Sequence, residues 1–269
     1  MLKIINSQIH KTAIIENGAK IGENVVVGAY SLIGKDVSIG DGTTIKSHVV
    51  IEGITEIGAN NTIFQFVSIG AVPQDLKFSG ELSKTIIGDN NNIREFVTIH
   101  AGTKGGNMET KVGNNCLIMA YCHIAHDCVV KNNVVLANNA TLAGHVIIED
   151  NVVIGGLSAI HQFVRIGKGA MIGGMSGVEN DVIPYGAVMG ERANLVGLNL
   201  VGLKRQNLEK SEINSLRAFY KKLFDKSEEN FNSKIDALVS ENKNNNLVND
   251  VINFLKSATS RSFCQPKNK

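Results

Sequence analysis

Five of the seven histidines lie between positions 100 and 161: His100, His123, His126, His145 and His161. Imidazole exchanges a proton near neutral pH and is also a common metal ligand, so such a group suits general acid–base work or zinc. His123-Ile124-Ala125-His126 is an H-x-x-H string, which keeps the metal reading in view. Asp127 follows His126 directly. At a corner its carboxylate would orient the imidazole, whereas along a flat strand neighbouring side chains point apart.

The elements that carry these residues are set by an apolar period of six. It runs from Ile9 through Ile15, Ile21, Val27, Ile33, Ile39, Ile45, Ile51, Ile57 and Ile63 to Ile69. It resumes at Ile87, Ile93 and Ile99, and again from Val112 to Val178. Neither an amphipathic helix nor an alternating strand has this period. A hexapeptide repeat does, and it marks a left-handed parallel β-helix in which three hexads close one turn. The fold class expected is therefore all-β with an α-helical tail.

The register also says which residues meet. Positions eighteen apart stack at roughly 4.8 Å, so His126, Gly144 and Gln162 form one file. Gly144 offers a bare backbone N–H beside His126, placed to receive a developing oxyanion. Two interruptions break the coils. Between Ile69 and Ile87 the register slots hold Asp75 and Glu81, so a segment around Ala71–Lys77 loops out. Between Ile99 and Val112 about seven residues around Gly102–Gly106 are ejected. With those removed, His100 and His161 share a side with His126, and His145 adjoins Gly144. Loops leaving a rigid scaffold are where function concentrates.

The 269 residues allow one large repeat domain, 1–190, and a smaller helical domain, 191–269. The period ends at Val178, and Pro184 takes the next slot. Ser211 is placed to cap a helix whose apolar face carries Ile213, Leu216, Phe219, Tyr220, Leu223 and Phe224. A net charge of +2 gives no electrostatic case for nucleic acid. No apolar run reaches transmembrane length, and the first six residues lack the form of a secretory leader. The cytoplasm is the expected compartment. Cys116, Cys122 and Cys128 occupy one small-residue slot on three different sides of a coil, and Cys264 stands alone. They cannot converge on an ion and are read as structural.

Thr98-Ile99-His100, His123–Cys128, Leu136–His145, Ile160-His161-Gln162-Phe163, Gly202-Leu203-Lys204-Arg205 and Gln74-Asp75-Leu76-Lys77 together closely resemble the acyl-carrier-protein–UDP-N-acetylglucosamine O-acyltransferases, over nearly the whole chain. The resemblance implies transfer of an (R)-3-hydroxyacyl chain to the glucosamine 3-hydroxyl, the first step of lipid A biosynthesis, by a homotrimer with sites between neighbouring prisms. It implies His126 as general base, Asp127 as its support and the Gly144 amide as oxyanion donor. Asp75, Lys77, His100, His123, His145, His161 and Gln162 would line the sugar and acyl sites, and Asn199 and Arg205 would lie near the nucleotide. Gly174 and Arg192 match positions that bound the far end of the acyl groove. No metal or diffusible cofactor is implied, since acyl carrier protein brings the acyl group on its phosphopantetheine.

This chain departs from the family at Gln206, where relatives often carry a second Arg, and at Val201, often acidic. The same scaffold also serves N-acyltransfer, to a 3-amino UDP-sugar or to UDP-3-O-acyl-glucosamine. Zinc enzymes resembling γ-type carbonic anhydrases form another class, against which the surplus histidines and the loop lysine argue. Lys204, Arg205, Arg217, Lys221 and Lys222 would attract an acidic carrier protein.

Overall fold

In the computed structural model, described for residues 7–206, 208–225, 231–241, 245–257 and 260–267, the chain winds through short parallel strands, most of two residues. The first six residues, which bear on a leader, lie outside this range. The strands stack into three sheets. The first begins at Gln8–Ile9, the second runs from Ile14–Ile15 to Gly177–Val178, and the third from Lys20–Ile21 to Arg165–Ile166. The result is a triangular parallel β-helix. Register isoleucines point inward and pair coil to coil, Ile45 with Ile63 and Ile63 with Ile93. Ile45, Ile63, Ile93 and Ile118 are fully buried.

The two interruptions behave as the period requires. Ile69 pairs with Ile99, thirty positions on, and Ile99 with Ile124, twenty-five on, where an uninterrupted turn would take eighteen. Phase is restored after each loop because a strand displaced by one residue would turn its apolar side chain to solvent.

Corners are turned by one residue in the left-handed region, among them Asn60 (φ 56°), Asp127 (φ 58°), Asn133 (φ 56°) and His145 (φ 62°). Such a conformation costs an ordinary side chain about 1–2 kcal/mol. At the corner between the first and second sheets, Tyr30, His48, Phe66, Phe96 and Tyr121 take it, and their rings stack in a ladder with centroids 4.8–5.1 Å apart. Stacking is worth about 0.5–1.5 kcal/mol per pair, which offsets part of the strain.

Coiling continues past Val178. Val182 bridges Ile166 and Val188 pairs with Ile172, so the last turn is two residues short. Pro184 does not fill a register slot; it packs against Gly167, where a Cβ would collide with it. An antiparallel strand, Asn194–Leu198, then closes the first sheet. Four helices follow: α1 (Leu200–Arg205), α2 (Lys210–Leu223), α3 (Phe231–Glu241) and α4 (Asn246–Lys256). Ser211 does not cap α2. Glu209 holds the N-cap position without a side-chain hydrogen bond, and Ser211 lies inside the first turn. Glu212 supplies the negative charge that a helix start favours. Leu216, Phe219 and Leu223 are buried, as the stripe requires.

The tail is pinned to the last coils by charge. Arg165 donates from Nε to Asp181 at 2.7 Å, reaches the Phe254 carbonyl within α4 and Ser257 at its C-cap, and lies over the Phe254 ring at 4.4 Å. Asp250 on α4 accepts from Lys168 at 3.1 Å and from the Tyr185 hydroxyl. The Asp181 side chain has no exposed surface. Arg165→Ala leaves that carboxylate buried without its main cation, so it should lower stability by about 3–5 kcal/mol. Urea denaturation at fixed protein concentration checks this, and adding Asp181→Asn should recover part of the loss.

Candidate active site

The histidines gather at the corner between the second and third sheets. Thr98–His100, His123–Ile124, Thr141–Leu142 and Ala159–Ile160 are successive strands of the second sheet. His126 and Asp127 lie in the turn that leaves it, as do Gly144 and His145 one coil on and Gln162 and Phe163 the next. The file of His126, Gly144 and Gln162 is thus realised.

Adjacent residues meet here because Asp127 takes the left-handed conformation, which swings its carboxylate back toward the preceding side chain. His126 Nδ1 lies 2.9 Å from Asp127 Oδ2. The second ejected loop returns to hold that carboxylate. The Thr103 N–H lies 3.1 Å from both carboxylate oxygens, and its hydroxyl donates to Oδ2 at 2.6 Å. The Asp127 N–H in turn donates to Thr110 Oγ1 at 2.8 Å. Gly106 passes so close that a Cβ there would overlap the carboxylate. Burial raises the Asp127 pKa, but the hydrogen bonds from Thr103 and His126 outweigh it and leave the carboxyl below its ordinary range. Thr103 is a site residue that the sequence does not announce, since only the loop's length, not its return path, is legible there.

The remaining histidines form perpendicular pairs. His126 and His145 meet edge to face at 5.0 Å, as do His100 and His123 at 4.9 Å. Phe163 stacks on His145 at 4.4 Å. His123 Nδ1 shares a 2.7 Å hydrogen bond with Thr98 Oγ1. Burial, then the charges of His123 and His126, pushes His100 down to about 4; burial lowers His123 and His145 as well. His100 Nδ1 is buried without a partner among the described residues. A Cβ at position 144 would lie 2.5 Å from the His126 ring, so only glycine fits there. The Gly144 N–H donates to none of the described residues. His161 and Gln162 are exposed one coil on, and Arg261 from beyond the helices contacts both.

The other predicted residues are distributed over the prism. Asp75 and Lys77 sit on the first loop, where the Lys77 N–H donates to Asp75 Oδ1 at 3.0 Å, and the Asp75 charge acts on His145. The two loops are clipped together: the Lys104 N–H donates to Glu81 at 2.8 Å and, with Ser79, holds that carboxyl down at about 2. Asn199 is engaged structurally, accepting from Gly202 N–H as the cap of α1 and donating to Gly169 O. It and Arg205 thus lie by the corner between the third and first sheets. Gly174 turns the corner between the first and second, and Arg192 pairs with Glu179 nearby.

His126, Asp127 and His145 offer ligand atoms within 4.8 Å of one another. Asp127 Oδ2, however, already has Thr103 and His126 as partners, so a cation would have to break that network. The four cysteines are buried and unbridged, and burial pushes Cys122 to about 11 and Cys128 to about 12, far from thiolate ligands.

Comparison with known proteins agrees with this geometry. A family model described as UDP-N-acetylglucosamine O-acyltransferase, domain 2, matches residues 181–264, and bacterial transferase hexapeptide repeats match 18–53 and 109–144. An acyl-[acyl-carrier-protein]–UDP-N-acetylglucosamine O-acyltransferase from Rickettsia canadensis is 52% identical over 96% of this chain and 98% of its own. The enzyme of that name from Bartonella henselae is 46% identical, over 97% and 95%. A crystal structure of a UDP-N-acetylglucosamine acyltransferase superposes with a TM-score of 0.93 at 44% identity, covering 97% of this chain and all of that one. The corresponding protein from Campylobacter jejuni gives 0.90 at 41%, with the same coverage.

Thr103→Val keeps shape but removes the hydroxyl donor. The Asp127 carboxyl pKa should rise by about one unit or more, as read by carbon NMR of labelled aspartate, while Thr103→Ser should leave it near the wild-type value.

Proposed function

The chain belongs to the family of the acyl-[acyl-carrier-protein]–UDP-N-acetylglucosamine O-acyltransferases, and we propose that His126, held by Asp127, is its general base. The fold is the left-handed parallel β-helix of that family. The enzyme is an O-acyltransferase that moves an acyl chain from acyl carrier protein to UDP-N-acetylglucosamine in lipid A biosynthesis.

The observation that carries the residue assignment is the chain of contacts from Thr103 through Asp127 to His126. With the Nδ1 proton engaged by Asp127, Nε2 keeps its lone pair for the substrate. His126 takes the proton of the glucosamine 3-hydroxyl as that oxygen bonds to the thioester carbonyl carbon. The carbonyl oxygen becomes an oxyanion and receives the Gly144 N–H. Collapse breaks the carbon–sulfur bond, and the leaving thiolate of the carrier's pantetheine recovers the proton from His126. The buried, unpartnered His100 Nδ1 marks a further place for a polar atom of substrate. Every proton is handled by a side chain, so neither a metal nor a diffusible cofactor enters this scheme. The transferred chain is taken to be an (R)-3-hydroxyacyl group, with Gly174 and Arg192 bounding its far end.

The carrier is proposed to dock on the helical tail. Arg217 and Lys221 are exposed on one face of α2 and rim a groove of about 650 Å³ floored by Leu198, Tyr220 and Phe224. A cationic rim around an apolar floor suits an acidic amphipathic partner. A homotrimer is proposed because the family's site positions fall on three different corners of one prism: His126, Asn199 with Arg205, and Gly174. Copies packed side by side would unite them in one cleft. Among the described residues no helix is long and apolar enough to cross a membrane, and the proposed compartment is the cytoplasm.

His126→Ala should lower kcat by about 10²–10⁴-fold while leaving assembly and melting nearly unchanged, because the side chain lies outside the apolar prism. Retention of a tenth of wild-type turnover would contradict the assignment. His126→Ala and Arg205→Glu chains, each weak alone, should regain activity when mixed under conditions of confirmed subunit exchange. No gain would place both groups in a single chain's site.

A further inference from the structure

Residues 260–265 return from the helical tail to the prism and join it through an isolated parallel bridge between Phe263 and Asp181. The Asp181 N–H donates to Ser262 O and the Cys264 N–H to Asp181 O, both at 2.8 Å, and the Leu195 N–H donates to Gln265 O at 3.0 Å. Cys264 is buried and Phe263 packs near Phe231 and Phe254. The arm sets out beside the histidine corner, at Ser260. A cavity of about 230 Å³ beside the catalytic carboxylate is lined by Asp127, His145 and Phe163 on one side and by Ser260 of the arm on another.

Arg261 extends from the arm to the next coil. Its Nη2 lies 2.7 Å from His161 Nδ1, and its Nε–H donates to the Gln162 carbonyl at 3.1 Å. Gln162 stands in file with Gly144 and His126, and the Phe163 N–H donates to Gly144 O at 3.1 Å, so this segment lies directly on the site. A guanidinium has only donors and keeps its proton at any ordinary pH. His161 Nδ1 must therefore accept, and the ring's proton is on Nε2. His161 Nδ1 also lies 3.3 Å from the Gln162 carbonyl. Those are two acceptors facing each other, and they are reconciled only because Arg261 donates to both. Without Arg261, Nδ1 would regain its proton and donate to that carbonyl, leaving Nε2 as a lone pair.

We propose that Arg261 is a positioning residue that selects the tautomer of His161, so that His161 presents Nε2–H as a donor to an acceptor oxygen of the bound substrate. Arg261 reaches the chemistry only through His161. The role rests on the acyltransferase site proposed above, while the tautomer itself does not.

Imidazole nitrogen NMR of histidine-labelled enzyme, at about pH 8 where ordinary imidazoles are neutral, reads the tautomer directly. The wild type should show His161 with Nδ1 bare and Nε2 protonated; Arg261→Ala should reverse this, and Arg261→Lys should restore it. In turnover, Arg261→Ala should lower kcat/KM roughly tenfold, with unchanged melting, and Arg261→Lys should recover part of it. In a His161→Ala background, Arg261→Ala should change kcat/KM by less than about twofold. A protonated Nδ1 in the wild type, or the same tautomer in Arg261→Ala, would overturn the proposal. So would an undiminished Arg261 effect without His161, which would mark a structural role, or a tautomer switch with no kinetic consequence. None of these results touches the general-base reading, which His126→Ala tests separately.

Discussion

Each strand of the prism donates and accepts across to the strand one turn away, and this coil-to-coil pairing fixes every corner at the same height and angle as the one before it. Side chains placed one turn apart are therefore held about 4.8 Å from each other whatever their chemistry. The apolar stack inside rewards that spacing, and the left-handed corner residues tolerate it. The histidine corner uses the same constraint without relaxing it. His126, Gly144 and Gln162 occupy a file that elsewhere in the molecule serves only to turn the chain.

What distinguishes this corner is the loop that closes on it. A seven-residue excess between Ile99 and Val112 leaves the prism and returns with Thr103 and Gly106 against the Asp127 carboxylate. A carboxylate buried this fully needs donors on its remaining lone pairs. Thr103 supplies two, leaving the His126 contact in a defined direction. A histidine proposed as general base is useful when its ring cannot rotate away from the substrate, and here the restraint comes from a backbone turn, a threonine and a glycine. The same logic extends one coil further, where Arg261 meets His161.

Much of this was legible in the sequence. The isoleucine register gave the three sheets, the phase across both loops and the file through His126. The inertness of Cys116, Cys122 and Cys128 followed from their slots. The contact between His126 and Asp127 was legible only as one of two outcomes, a corner or a flat strand, and the left-handed turn at Asp127 makes it a corner. Thr103 and Arg261 were invisible: an aperiodic loop and an arm a hundred residues away carry no register. Asn199 shows the opposite difficulty, since a short amide suits a ligand or a helix cap, and here its local backbone groups engage it. The end of the period at Val178 was real in the sequence yet did not end the coil, because a turn two residues short still lets Val182 and Val188 find their partners.

In the proposed mechanism the acceptor hydroxyl is delivered to a histidine fixed from behind by Asp127. The most direct measurement is a crystal structure of the enzyme with UDP-N-acetylglucosamine bound. The sugar 3-hydroxyl oxygen should lie about 2.6–3.2 Å from His126 Nε2, with the Nδ1 contact to Asp127 and the Thr103 hydrogen bonds intact. A sugar whose 3-hydroxyl lies beyond reach of His126 and is not linked to it by a water, or a His126 ring turned away from Asp127 in the complex, would contradict it.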